Sequence, residues 1–222
     1  KLDAEILDYI LGPSYMEEDI RTETNKHGFC KYHYDKMFHA QNRLGVALMV
    51  STHLKKIRTD IEAAMTEEQN VGKRGIFQKP SAGSPVFDYT NALTHDCYAC
   101  SRAEARMDEY VDTFFYLWKR EPDFREKVKS CKGFCLNHFS RLLAEGRQKL
   151  NNDAFKGLLA VLVPQERENL SRISDELDWF IQKFDYRFQN EPWKNSKDSL
   201  ERAILKISSA RLDLKQKMQM SL

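Results

Sequence analysis

An all-α fold is what this chain of 222 residues predicts, on three observations. Apolar residues recur every three or four positions over most of its length, the period of a helix face. Glycine and proline are sparse, at 9 and 6 residues, so few points interrupt a helix. No stretch alternates apolar and polar residues between hairpin signals, as a half-buried strand would.

Ile6, Tyr9 and Ile10 open the pattern with a short first helix, and a short polar helix follows before Gly28. From near Gly28 to near Glu68 the residues Ala47, Val50, Leu54, Ile57, Ile61 and Ala64 make one face of a long helix. Asn70–Asn91 then gathers glycines and prolines without an apolar stripe and reads as a linker or long loop. Pro122 suits the first turn of another short helix. In "LLAVLVPQERENL", Pro164 is expected to kink or divide the helix around it, because proline lacks an amide hydrogen. Leu170, Ile173, Leu177, Ile181 and Phe184 continue a stripe. Leu200, Ile204, Ile207, Leu214 and Met218 outline a last helix, capped by Ser196 or Asp198.

The sequence repeats a phrase. "HGFCKYHY" (27–34) and "KGFCLNHF" (132–139) both read G-F-C-x-x-H followed by an aromatic. In the same register Ile6 meets Val111, Tyr9 meets Phe114 and Ile10 meets Phe115. The economical reading is a duplicated unit of helix, short helix and GFCxxH helix. It predicts a first repeat over 1–69, a linker over 70–94, a second repeat over 95–150, and C-terminal helices over 151–222 that pack on both in one globular body.

Four of the 5 cysteines fall in pairs with a partner three residues away, the spacing of metal ligands on one helical turn and not of a disulfide framework. Cys97-x-x-Cys100 followed by Cys135-x-x-His138 supplies three thiolates and an imidazole, a closed structural set for zinc. An iron–sulfur cluster is the alternative cofactor. Phe134 is expected to pack beside the site, and Gly133 to let the backbone turn into the helix. Cys30 and His33 read as half of a second metal site. Lys1 aligns with Arg106, just past the C-x-x-C, so the missing cysteines are expected six and nine residues before Lys1. Alternatively, Cys30 and His33 form a reactive thiol and its base, as in a redox enzyme. Cys131 has no echo and reads as a spare thiol. His27, His39, His53 and His95 show no ligand spacing.

Bulk properties exclude several classes. The net charge of +2 sets up no broad attraction for nucleic acid or anionic membrane. The longest apolar cluster, Gly45–Val50, is far too short to span a bilayer. No nucleophile triad, phosphate loop or carboxylate pair appears. Thiols used as ligands favour a reducing, cytoplasmic setting. A protein partner is compatible with these features, and none identifies it.

The paired GFC-x-x-H halves, the C-x-x-C, "DTFFYLW" (112–118) and "WFIQKFDYR…EPWKNSKDSL" (179–200) together resemble an uncharacterised bacterial family, a domain of unknown function. Some of its members are labelled ABC-transporter substrate-binding proteins. The resemblance covers nearly the whole chain and implies an α-helical metal protein with no established activity. The leading expectation is a zinc-binding helical protein with a structural Cys3His site and an interaction or regulatory role.

Overall fold

A computed structural model describes residues 2–71 and 83–209. Among them are ten α-helices, one 3-10 turn and no strand. The chain forms two compact units, Lys1–Glu109 and Tyr110–Leu222.

The first unit contains α1 (Leu2–Leu11), a 3-10 turn (Pro13–Met16), α2 (Glu18–His27), α3 (Lys31–His39), α4 (Arg43–Val71), α5 (Pro85–His95) and the start of α6 (Tyr98–Arg120). The long helix expected from Gly28 to Glu68 is therefore two helices. Asn42 explains the break: its side-chain amide donates to the Leu11 carbonyl at 2.7 Å, and its oxygen accepts from the Gly45 amide at 2.9 Å. One side chain thus ties the interruption to the end of α1 and caps the new helix. The expected linker is also partly helical. Ser84 accepts from the Phe87 amide as N-cap of α5, and Pro85 occupies its first turn. The rest of the linker, 72–82, lies outside the described residues.

Helix α4 packs on α2, α3 and α5. The core of this unit joins Leu7, Ile10, Ile20, Phe29, Met37 and Met49 to Cys97, Tyr98 and Ala99. The last three lie beyond the expected linker. The boundary between the units therefore falls inside α6, and the sequence-based boundaries at 69, 94 and 150 do not match it.

The second unit contains the rest of α6, then α7 (Pro122–Ser130), α8 (Leu136–Lys149), α9 (Asn152–Gln182) and α10 (Ser199–Ser208). Pro164 does not divide α9, which runs unbroken through it. The hydrogen bond it lacks is one among many along a long helix whose inner face is buried at Leu158, Leu162 and Ile173. Phe115, Trp118, Val128 and Leu142 complete the core. Gly146 admits Leu158 and Phe115 against its backbone. The last helix begins after Asp198 and is described to Ser208; Leu214 and Met218 lie outside the described residues.

The turn from α9 to α10 is organised by buried Lys183. Its ammonium donates to the carbonyls of Phe188, Gln189 and Glu191 at 2.5–2.7 Å. Trp179 donates to the Pro192 carbonyl at 3.0 Å. The segment between Lys183 and Trp193 thus folds back on α9, with the Lys183 ammonium 5.3 Å from the Trp193 ring centre.

Glu176 on α9 receives Arg172 at 2.9 Å and also Arg202 of α10. Burial raises its carboxyl pKa, but the two guanidinium groups outweigh burial and hold it below the ordinary 4.5. A depressed carboxyl pKa contributes stability that is complete above its unfolded value and is lost as pH falls through the folded one. Glu176→Gln should therefore flatten the acid side of the stability profile. Melting curves from about pH 6 to pH 3 that fall equally in both proteins would refute this.

Candidate metal centre

Both glycines of the repeated phrase have positive φ, +60° at Gly28 and +71° at Gly133. Side chains rarely tolerate this region, and glycine enters it freely. At Gly28 an added Cβ would also collide with His53. The turn ends α2 and presents Cys30 as the N-cap of α3, with His33 in the first turn. Cys97 directly precedes α6, and Cys100 is in its first turn.

Two contacts register these helix starts. The Tyr98 amide donates to the Gly28 carbonyl at 3.0 Å. His27 Nδ1 lies 2.5 Å from the Asp96 carboxylate. Upstream, Tyr89 donates to Asp60 at 3.0 Å and Ser84 to Glu68 at 2.9 Å, fixing α5 along α4. His53 on α4 donates from Nδ1 to the Asn25 carbonyl at 2.7 Å and supports the end of α2. The α4–α5 pair thus returns the chain to the first GFC phrase.

Cys30, His33, Cys97 and Cys100 consequently converge, with one ligand atom from each and all four within 4.8 Å of one another. His33 Nδ1 lies 3.2 Å from the Cys30 sulfur, 3.3 Å from that of Cys97 and 3.5 Å from that of Cys100. The Cys30 and Cys100 sulfurs are 3.9 Å apart. Hydrogen bonding does not explain the cluster, because one imidazole nitrogen cannot serve three thiols. A metal does. Zinc bonds of about 2.3 Å to sulfur and about 2.0 Å to nitrogen place tetrahedral ligand atoms roughly 3.5–3.8 Å apart.

The electrostatics also fit a cation. Burial pushes the Cys100 thiol up to about 12, and its Cys97 and Cys30 neighbours add to the rise. Cys30 is the opposite case. Burial raises it, but the backbone amides of His33 and Tyr32 and hydrogen bonds from Cys97 and Cys100 bring its thiol below the ordinary range. Burial lowers the pKa of His33, against a raising influence from Asp3, which favours the neutral imidazole a metal requires. Three adjacent thiolates would repel; a divalent ion and the positive ends of α3 and α6 would offset that charge.

His33 is 2% exposed, and its Nε2 has no hydrogen-bond partner among the described residues. Asp3 Oδ1 stands 3.7 Å away. If Nδ1 binds a metal, Nε2 carries the proton and points it at this carboxylate, an arrangement that orients a histidine ligand. Asp3→Asn should weaken metal affinity by about tenfold or more, read by competition with a chromogenic chelator. Unchanged affinity would remove Asp3 from the centre.

The set differs from the one expected. The sequence paired Cys97 and Cys100 with Cys135 and His138; the structure places them with Cys30 and His33. The expected gap beside Cys30 and His33 is filled by these two thiols, so the set needs no cysteine pair before Lys1. Cys135 and His138 stand together in the second unit, sulfur to Nδ1 3.2 Å, with the Ser209 hydroxyl 2.8 Å from the sulfur. Among the described residues, no other cluster of three or more Cys, His, Asp or Glu side chains has metal-binding geometry. Phe134 packs edge-on against Phe114, whereas Phe29 is the phenylalanine in the core that includes Cys97. Cys131 is exposed, with Gln165 donating to its sulfur at 3.5 Å. His39 and His95 each meet a carbonyl one turn earlier in their own helix. The roles of Asp3, His27 and His53 carried no spacing signal in the sequence.

No helix among the described residues is long and apolar enough to cross a membrane. No curated protein and no solved structure matches the chain. A family model matches residues 1–213, under the description "Family of unknown function (DUF6062)". With that match over nearly its whole length, the chain belongs to this family of unknown function.

Proposed function

We propose that the protein is a zinc-binding helical protein in which Cys30, His33, Cys97 and Cys100 hold one structural ion. The observation that carries this reading is the mutual approach of four ligand atoms within 4.8 Å. Three sulfurs and one imidazole nitrogen are a donor set that zinc prefers. An iron–sulfur cluster spreads its ligands over several irons, so so compact a set favours a single ion. Four protein ligands leave no coordination position for a substrate, which favours a structural metal over a catalytic one. The ion would join two helix starts that are far apart in sequence, as a clamp within the first unit.

On this reading the protein acts by presenting a metal-stabilised helical surface to a protein partner, in an interaction or regulatory role in the reducing cytoplasm. The two GFC phrases descend from one duplicated unit, and only the first is completed by a C-x-x-C. Elemental analysis of the purified chain should find one zinc per molecule. Cobalt substitution should then give the intense visible bands of a tetrahedral thiolate site. Iron with labile sulfide, or no metal after purification without chelator, would overturn the assignment.

A further inference from the structure

We propose that the zinc centre is also an oxidation site, at which a peroxide links Cys30 to Cys100 and releases the ion. The proposal rests on the zinc reading above. Its support is the unequal placement of the three sulfurs. Cys97 is 4% exposed and belongs to the hydrophobic core. Cys100 is exposed and Cys30 half-buried, and their sulfurs are 3.9 Å apart. A small oxidant therefore reaches Cys100 first, and Cys30 is a resolving thiolate within reach.

The chemistry balances with hydrogen peroxide as the oxidant. The Cys100 thiolate attacks one peroxide oxygen; the O–O bond breaks, hydroxide leaves, and a sulfenic acid forms. The Cys30 thiolate attacks that sulfur; the S–S bond forms, the S–O bond breaks, and a second hydroxide leaves. Two protons convert the hydroxides to water. The two sulfurs supply the two electrons that reduce the peroxide. Closing the sulfurs from 3.9 Å to about 2.0 Å removes two of the four ligands. Cys97 and His33 alone do not complete a zinc site, and the ion leaves.

The choice of partner has a consequence. Cys30 precedes α3 and Cys100 lies in the first turn of α6, so their disulfide keeps covalently the connection the metal made. Oxidation would expel zinc without unfolding the unit. A Cys97–Cys100 disulfide would instead stay within one helical turn and leave the two helix starts unjoined.

The test uses the zinc-loaded full chain. Its metal content is measured first; a chain that holds no zinc refutes the metal reading and this proposal with it. Hydrogen peroxide is then added, zinc release is followed with a chromogenic chelator, and the disulfides are mapped by mass spectrometry without reduction. The expected result is one zinc released per Cys30–Cys100 link, with the helical circular dichroism retained and both reversed by dithiothreitol and zinc. Cys131→Ser should release zinc at the wild-type rate. Zinc retained while Cys30 and Cys100 stay reduced, or a Cys97–Cys100 link as the main product, would overturn the proposal and leave the zinc reading intact.

Discussion

Cys97→Ser should abolish the zinc binding proposed above and destabilise the first unit by several kcal/mol, because the affinity for a structural metal is folding free energy. The substitution is nearly isosteric, so loss of a ligand dominates over loss of packing in a site only 4% exposed. Cys135→Ser should keep one zinc per chain and melt nearly as the wild type does. In excess EDTA the difference between Cys97→Ser and wild type should largely vanish, since both are then metal-free. Metal analysis and thermal melting of the two variants read these outcomes together. If Cys97→Ser keeps its zinc, the cage is not the one described. If Cys135→Ser loses it, Cys97 and Cys100 belong with the second phrase after all.

The second large effect concerns the other unit. Under the Gly133 turn, Lys206 donates to Glu166 at 2.7 Å and to the Phe134 carbonyl at 2.5 Å. The two side chains are 7% and 6% exposed. Lys206→Met leaves a buried carboxylate without its cation, a loss of about 3–5 kcal/mol. The Tm should fall by on the order of 10 °C. Glu166→Leu combined with Lys206→Met should recover most of that loss, because removing both charges of a buried pair is often neutral. A double variant as unstable as the single one would show that the contribution comes from packing and not from charge pairing.

How far the site could be read in advance differs residue by residue. The pairs Cys30/His33, Cys97/Cys100 and Cys135/His138 are all legible as candidate ligands from their spacing, but which pairs combine is not. The glycine of each phrase is equally legible: glycine just past a helix end is the common residue of a positive-φ turn, and both glycines adopt one. Asp3 is not legible. It is an acidic residue in the first turn of a helix, where acidic residues are common for reasons of helix polarity alone. Lys206 and Glu166 likewise resemble any surface charges until the fold buries them together.

Helicity, the candidate ligand pairs and the glycine turns beside them were legible in the sequence, because each depends on residues within a few positions of one another. The assignment of the C-x-x-C to one of two similar GFC phrases depended on the tertiary structure. It turns on how α5 returns along α4, through Tyr89 to Asp60, and on the His27–Asp96 and Tyr98–Gly28 contacts at the end of that path. Both phrases offer the same thiolate and imidazole at the same spacing, so local chemistry is degenerate between them. Only the packing of the intervening helices breaks that degeneracy.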